Sequence, residues 1–200
     1  MKTSRTLAFL LVGLLVVVAA IRLGALPGPW SAPALPVMGQ VPDFRLVSDK
    51  GRAFGSNELK DRAWLASFLY TTCPGPCPRL VERLKVVRRT VPATDLAIVS
   101  FSVDPAADTP EVLAAYKSAR GIADGDSWTF VTGPPEDVIE LVQKGFLTAV
   151  ERGSGNTEEG AVSHGVRVAL IDGKGGIRGF YATDSDEDVA RLANDVASLR

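Results

Sequence analysis

The chain is short of reactive side chains: its 200 residues include two Cys, one His and two Met. Any metal or redox site must be assembled from very few groups. A surplus of charge is missing as well, with 22 Lys and Arg against 23 Asp and Glu and a net charge of −1. That balance excludes the basic excess on which nucleic-acid binding relies, so no nucleic-acid partner is expected. The length excludes a multidomain enzyme and suits one compact domain with some chain left over.

Acid is absent from the first 42 residues, Asp43 being the first carboxylate. Residues 7–21 run fifteen positions without a charge, behind Lys2 and Arg5 and ahead of Arg22. A bilayer takes roughly twenty apolar residues to cross. Arg22 can snorkel, and residues 23–26 extend the apolar length. We expect residues 1–26 to form an uncleaved membrane anchor; a cleaved secretory signal ending near Val18-Ala19-Ala20 is the alternative. Under either reading Lys2 and Arg5 hold the N-terminus inside, and the rest of the chain crosses the membrane. Pro27, Pro29, Pro33, Pro36 and Pro42 then make residues 27–42 an extended spacer. Taking Lys2, Arg5 and Arg22 from the 22 basic groups leaves 19 against 23 acidic, so residues 43–200 carry about −4. That part is long enough to bury a core of its own.

Within residues 43–200 strand and helix patterns alternate. Phe44 to Val47, then Gly51 and Phe54, suggest a short hairpin, and the continuous apolar run at 63–70 predicts a central buried strand. Leu80, Leu84 and Val87 recur at helical spacing, with basic residues at the C-terminal end. Residues 96–103 predict a second apolar strand. Thr109-Pro110-Glu111 supplies a cap, a first-turn proline and an early acid for a helix that runs to about Arg120 and stops at Gly121. A strand at 128–131, a helix from Pro134 or Pro135 to about Lys144, a hairpin pairing 166–171 with 177–181, and a helix over 184–199 complete the pattern. The expectation is an α/β fold with a mixed sheet flanked by helices.

Both cysteines lie in Thr71-Thr72-Cys73-Pro74-Gly75-Pro76-Cys77-Pro78, directly after the predicted buried strand and before a helix. At a helix N-terminus, exposed amides and the dipole favour thiolate over thiol, which makes sulfur reactive and a good ligand for soft metals. A plain structural disulfide here would close a tiny loop and stabilise little. Structural zinc is disfavoured, because there is no second cysteine pair. Two sulfurs and one imidazole are a copper-like set: sulfur selects Cu(I), and an imidazole allows Cu(II) as well. The imidazole is His164, between the Gly-rich loop at 153–160 and the strand that follows. A lone histidine is more often structural or simply exposed; this one stands at a strand edge after a loop from which it could reach another site.

Three blocks of the chain carry a resemblance. Residues 68–78 around the cysteines, residues 100–105 (Ser-Phe-Ser-Val-Asp-Pro) with Asp108-Thr109-Pro110, and His164 ahead of Leu170-Ile171-Asp172-Gly173 resemble the Sco/SenC family of copper-binding assembly factors. The likeness covers about residues 40–198, with three residues between the cysteines where ordinary thioredoxins have two. It implies a thioredoxin-like fold and copper binding by Cys73, Cys77 and His164. It further implies service in building the dinuclear copper centre of cytochrome c oxidase, with that centre's subunit as partner and a periplasmic protein as a candidate copper donor. For Asp104 it implies a weak ligand or a group that tunes the site; the plain reading is a turn residue ahead of Pro105. Gly165, where members often carry a polar residue, is a departure.

On this reading the reduced pair captures copper, His164 closes over it, and oxidation of Cys73 and Cys77 to a disulfide ends binding. The competing function is a thiol:disulfide oxidoreductase that keeps the oxidase cysteines reduced, with Cys73 and Cys77 as its redox pair. A peroxidase and a non-catalytic docking domain are weaker alternatives. With no Arg- and Ser-rich amphipathic leader at its start, the chain is expected in a bacterial inner membrane, its soluble domain facing the periplasm.

Overall fold

Two apolar runs become adjacent strands at the centre of one sheet. β4 (Ala63–Leu69) and β5 (Leu96–Ser102) pair in parallel, Ala63 opposite Leu96 through Leu69 opposite Ser102, and all of β5 is buried. Burial on both faces is why these runs show no polar alternation. This computed structural model describes residues 2–22, 34–92, 96–146, 167–183 and 185–199. The chain divides into two units, Met1–Ala34 and Leu35–Arg200.

The first unit contains helix α1 (Lys2–Arg22), formed by the charge-poor N-terminal segment. Among the described residues no helix is long and apolar enough to cross a membrane, so the expected anchor is not established by the fold. The second unit is the mixed sheet expected from the sequence, in the order β1-β8-β7-β4-β5-β6-β2-β3. Its further strands are β1 (Gly39–Gln40), β2 (Arg45–Ser48), β3 (Ala53–Gly55), β6 (Trp128–Thr132), β7 (Arg167–Ile171) and β8 (Gly176–Ala182). β4, β5 and β6 run parallel; β7 and β2 join them antiparallel on either side, each continued by its hairpin partner. The unit takes in residues 35–42, although their prolines suggested a spacer: Gly39 pairs with Ile177 and Val41 is buried.

Side-chain alternation along the central strands divides the core in two. On one face Leu65, Leu69 and Ile98 pack with helices α2 (Pro76–Thr90), α3 (Pro110–Ala119) and α5 (Asp186–Ser198), through Leu80, Leu84, Leu113, Leu192 and Val196. On the other face Trp64, Phe101 and Phe146 interlock, Phe68 stacks on Phe101 at 5.6 Å, and α4 (Pro135–Glu140) covers them. The helix expected to reach Lys144 changes character on the way, with a π-turn over Leu141–Gly145. The second predicted strand ends one residue early, leaving Val103 exposed at the sheet edge. Val166 and the loop at 153–160 lie outside the described residues.

One buried ion pair ties the β2–β3 turn to the sheet and α3. Lys117 Nζ lies 3.0 Å from Asp49 Oδ2, both side chains being buried, and Asp49 Oδ1 accepts the Phe130 N–H at 3.0 Å. Removing one partner strands a buried charge, so Lys117→Met should cost about 3–5 kcal/mol in urea unfolding. Adding Asp49→Asn should recover part of that loss. A Lys117→Met cost of under about 1 kcal/mol, the worth of an exposed pair, would contradict a buried, coupled interaction.

Candidate functional site

The cysteine loop leaves the C-terminal end of β4 and turns at once, with the Cys73 N–H donating to the Tyr70 carbonyl at 3.3 Å. Helix α2 then starts at Pro76 with Gly75 as its N-cap. Its first turn has few free amides: Pro76 and Pro78 carry no N–H, and the Arg79 N–H already donates to the Gly75 carbonyl. That leaves the N–H of Cys77, which donates to Cys73 Sγ at 3.3 Å. Gly75 has no side chain to cap with, and sulfur takes the place where an N-cap oxygen would sit. Both cysteines are buried, and both are free thiols.

The two thiols are not equivalent. Burial pushes the Cys73 thiol up, but bonds accepted from the Cys77 thiol, from the Cys77 and Gly75 amides and from the Tyr70 hydroxyl bring it below its ordinary value. Burial, then the bond to Cys73, pushes Cys77 up to about 12. The negative charge of Cys73 and the hydrogen bond to it raise the Tyr70 hydroxyl, with burial, Cys77 and Asp104 adding to the effect.

The other candidates divide. Asp104 follows β5 and is half-buried; its N–H donates to Ser102 Oγ at 3.1 Å, and its carbonyl accepts the Asp108 N–H at 2.9 Å. β4 and β5 are parallel neighbours, so the Cys73 and Asp104 loops leave the same edge of the sheet. His164 lies outside the described residues. Among the described residues no group of three or more His, Cys, Asp or Glu side chains is placed to hold a metal. The pair of sulfurs alone suits a soft cation.

Two residues at the site carry roles that sequence reasoning did not give them. Tyr70 closes the apolar strand run and reads as its last core residue, yet it contacts Cys73. Asp108, one residue ahead of the Thr109 cap, reads as part of a helix start. It is fully buried and bonded backwards: Thr71 Oγ1 donates to Oδ1 at 2.5 Å, the Thr71 N–H to both oxygens at 3.1 and 3.3 Å, and Ser102 Oγ to Oδ2 at 2.6 Å. A buried acid two residues ahead of a helix-start proline was the available signal, but its partners are far away in sequence.

Comparison with known proteins bears on this geometry. The SCO1/SenC family model matches residues 37–199. A putative copper-binding protein of Stutzerimonas stutzeri is 30% identical over 152 residues, 72% of this chain and 70% of that one. The crystal structure of a SCO1/SenC family lipoprotein from Bacillus anthracis superposes with a TM-score of 0.70 at 29% identity, covering 84% of this chain and 99% of that one. BsSco, a member of the Sco family of cytochrome c oxidase assembly proteins in which a disulfide switch was identified, also gives 0.70, at 26% identity over 82% of this chain and 95% of its own. The mixed sheet flanked by helices is thus the thioredoxin-like fold that the sequence resemblance implied, and the chain belongs to the SCO1/SenC family.

Proposed function

We propose that this chain carries copper as cargo, held by Cys73, Cys77 and His164, and passes it to the copper-centre subunit of cytochrome c oxidase. The observation that carries this reading is the placement of the pair: two free cysteines at the start of a helix, with the Cys77 backbone N–H donating to Cys73 Sγ at 3.3 Å. Soft donors in that number favour Cu(I), and an added imidazole makes room for Cu(II). The name of the Stutzerimonas relative and the oxidase-assembly role stated for BsSco support the same cargo and destination. A site with few ligands can also release what it holds. Asp104, beside the same edge, is the candidate to tune the site.

The uncharged run at residues 7–21, with the apolar residues that follow it, supports residues 1–26 as the proposed membrane anchor, holding the copper domain on the periplasmic side of a bacterial inner membrane, where a periplasmic donor can load it. The full-length reduced chain should bind one equivalent of Cu(I) in an anaerobic titration. Cys73→Ser with Cys77→Ser should abolish this, and His164→Ala should weaken it about tenfold or more, the usual scale for a metal-site defect. Undiminished binding by the double serine variant would contradict the proposal.

The inequality of the two thiols favours a second reading, thiol:disulfide exchange with the oxidase cysteines. Exchange needs one attacking thiolate and one partner kept protonated until it resolves the mixed disulfide. With Cys73 lowered and Cys77 raised, brief iodoacetamide treatment at pH 8 should label Cys73 at least about tenfold faster than Cys77, as read by peptide mass spectrometry. Equal labelling would remove the support for exchange. His164→Ala separates the two functions, since dithiol exchange does not need the imidazole.

A further inference from the structure

The cysteine loop and the Asp104 loop share one buried carboxylate. Thr71, two residues before Cys73, and Ser102, two residues before Asp104, both donate to Asp108. Ser102 Oγ also accepts the Asp104 N–H, so the bonds run without a break from the base of one loop to the base of the other. The donors to this carboxylate are neutral hydroxyls and an amide. Burying an ionised acid is costly unless several donors satisfy it, and bonds to a charged acceptor are about twice as strong as neutral ones. Asp108 therefore adds a side-chain tie between the two chains just past the β4–β5 ladder, whose last register pair is Leu69 opposite Ser102 and whose last backbone bond runs from the Val103 N–H to the Leu69 carbonyl at 2.9 Å. The cap of α3 does not need it, because Thr109 Oγ1 already accepts the Val112 N–H.

We propose that Asp108 is a positioning residue for the dithiol. By fixing Thr71 it limits where Cys73 can move relative to Cys77 in the helix, and so raises the concentration of one sulfur around the other. Two quantities depend on that concentration. One is the equilibrium for closing the disulfide with oxidised glutathione: the two thiols give up two electrons and two protons, an intramolecular S–S bond forms, and the glutathione disulfide leaves as two thiols. The other is the affinity for Cu(I), which rests on the copper reading above, whereas the closure equilibrium does not.

The test uses the full-length chain in detergent, with Asp108→Ala, Ser102→Ala, their double variant and the conservative Asp108→Asn. Glutathione redox buffers give the closure constant of the copper-free protein, a chromophoric chelator gives Cu(I) affinity, and urea unfolding identifies the folded variants. Asp108→Ala should lower the closure constant about tenfold, equal to roughly 30 mV. Asp108→Asn, which keeps one acceptor oxygen and offers its amide N–H to a hydroxyl, should fall less than Asp108→Ala, staying within about threefold, because neutral bonds replace the charged ones without all being lost. Adding Ser102→Ala to Asp108→Ala should change nothing more, because the bridge is already broken. A folded Asp108→Ala variant with an unchanged closure constant overturns the proposal, as do additive effects of the two substitutions. If Asp108→Ala does not fold, Ser102→Ala decides alone, a several-fold fall supporting the bridge and no change overturning it. A shifted closure constant in a chain that takes up no Cu(I) would end the copper reading and leave the positioning role standing.

Discussion

The parallel pairing of β4 with β5 is the constraint on which the site depends. A parallel ladder brings two strand ends, and the loops leaving them, to the same edge of the sheet. Here those loops carry Cys73 and Asp104, which are 31 positions apart in sequence. The pairing is secured by burial on both faces: an aliphatic core with α2, α3 and α5 on one side, an aromatic one built on Trp64, Phe68, Phe101 and Phe146 on the other. Buried polar groups inside the ladder are matched as well, Ser67 Oγ meeting Ser100 Oγ at 2.8 Å while Trp128 Nε1 donates to Ser100 Oγ at 2.9 Å.

From that edge the start of α2 follows by subtraction. Prolines at its first and third positions remove two amides, and a glycine cap removes the side chain that would satisfy a third. The Cys77 N–H is left for the Cys73 sulfur, a bond that orients the first cysteine toward the second without joining them. The same arrangement divides the thiols into one drawn down and one pushed up, as copper capture and dithiol exchange would each use in their own way. The site is thus a property of helix capping at least as much as of cysteine spacing.

Much of this was legible in sequence because it was local. The apolar run at 63–70, the Thr109-Pro110-Glu111 start and the stop at Gly121, whose φ is +66°, each carry their structural instruction within a few residues. The cysteine motif was equally plain, since a strand end, two prolines and a glycine surround it. What escaped depends on distant partners. β1 is two residues long and pairs with β8 across most of the chain, so its prolines outweighed any strand signal. Lys117 looks like the charged side of an amphipathic helix until Asp49 is folded under it. Asp108 looks like a capping acid, and its bonds to Thr71 and Ser102 exist only after β4 and β5 have paired.

The central claim is that the two sulfurs and the imidazole bind one ion together. Copper K-edge absorption spectroscopy on the full-length chain loaded with one equivalent of Cu(I) tests it most directly. The account predicts two sulfur neighbours and one imidazole nitrogen at the copper, with the nitrogen contribution lost in His164→Ala and sulfur halved in Cys77→Ser. A spectrum built from nitrogen and oxygen neighbours alone, or one unchanged by Cys77→Ser, would contradict it.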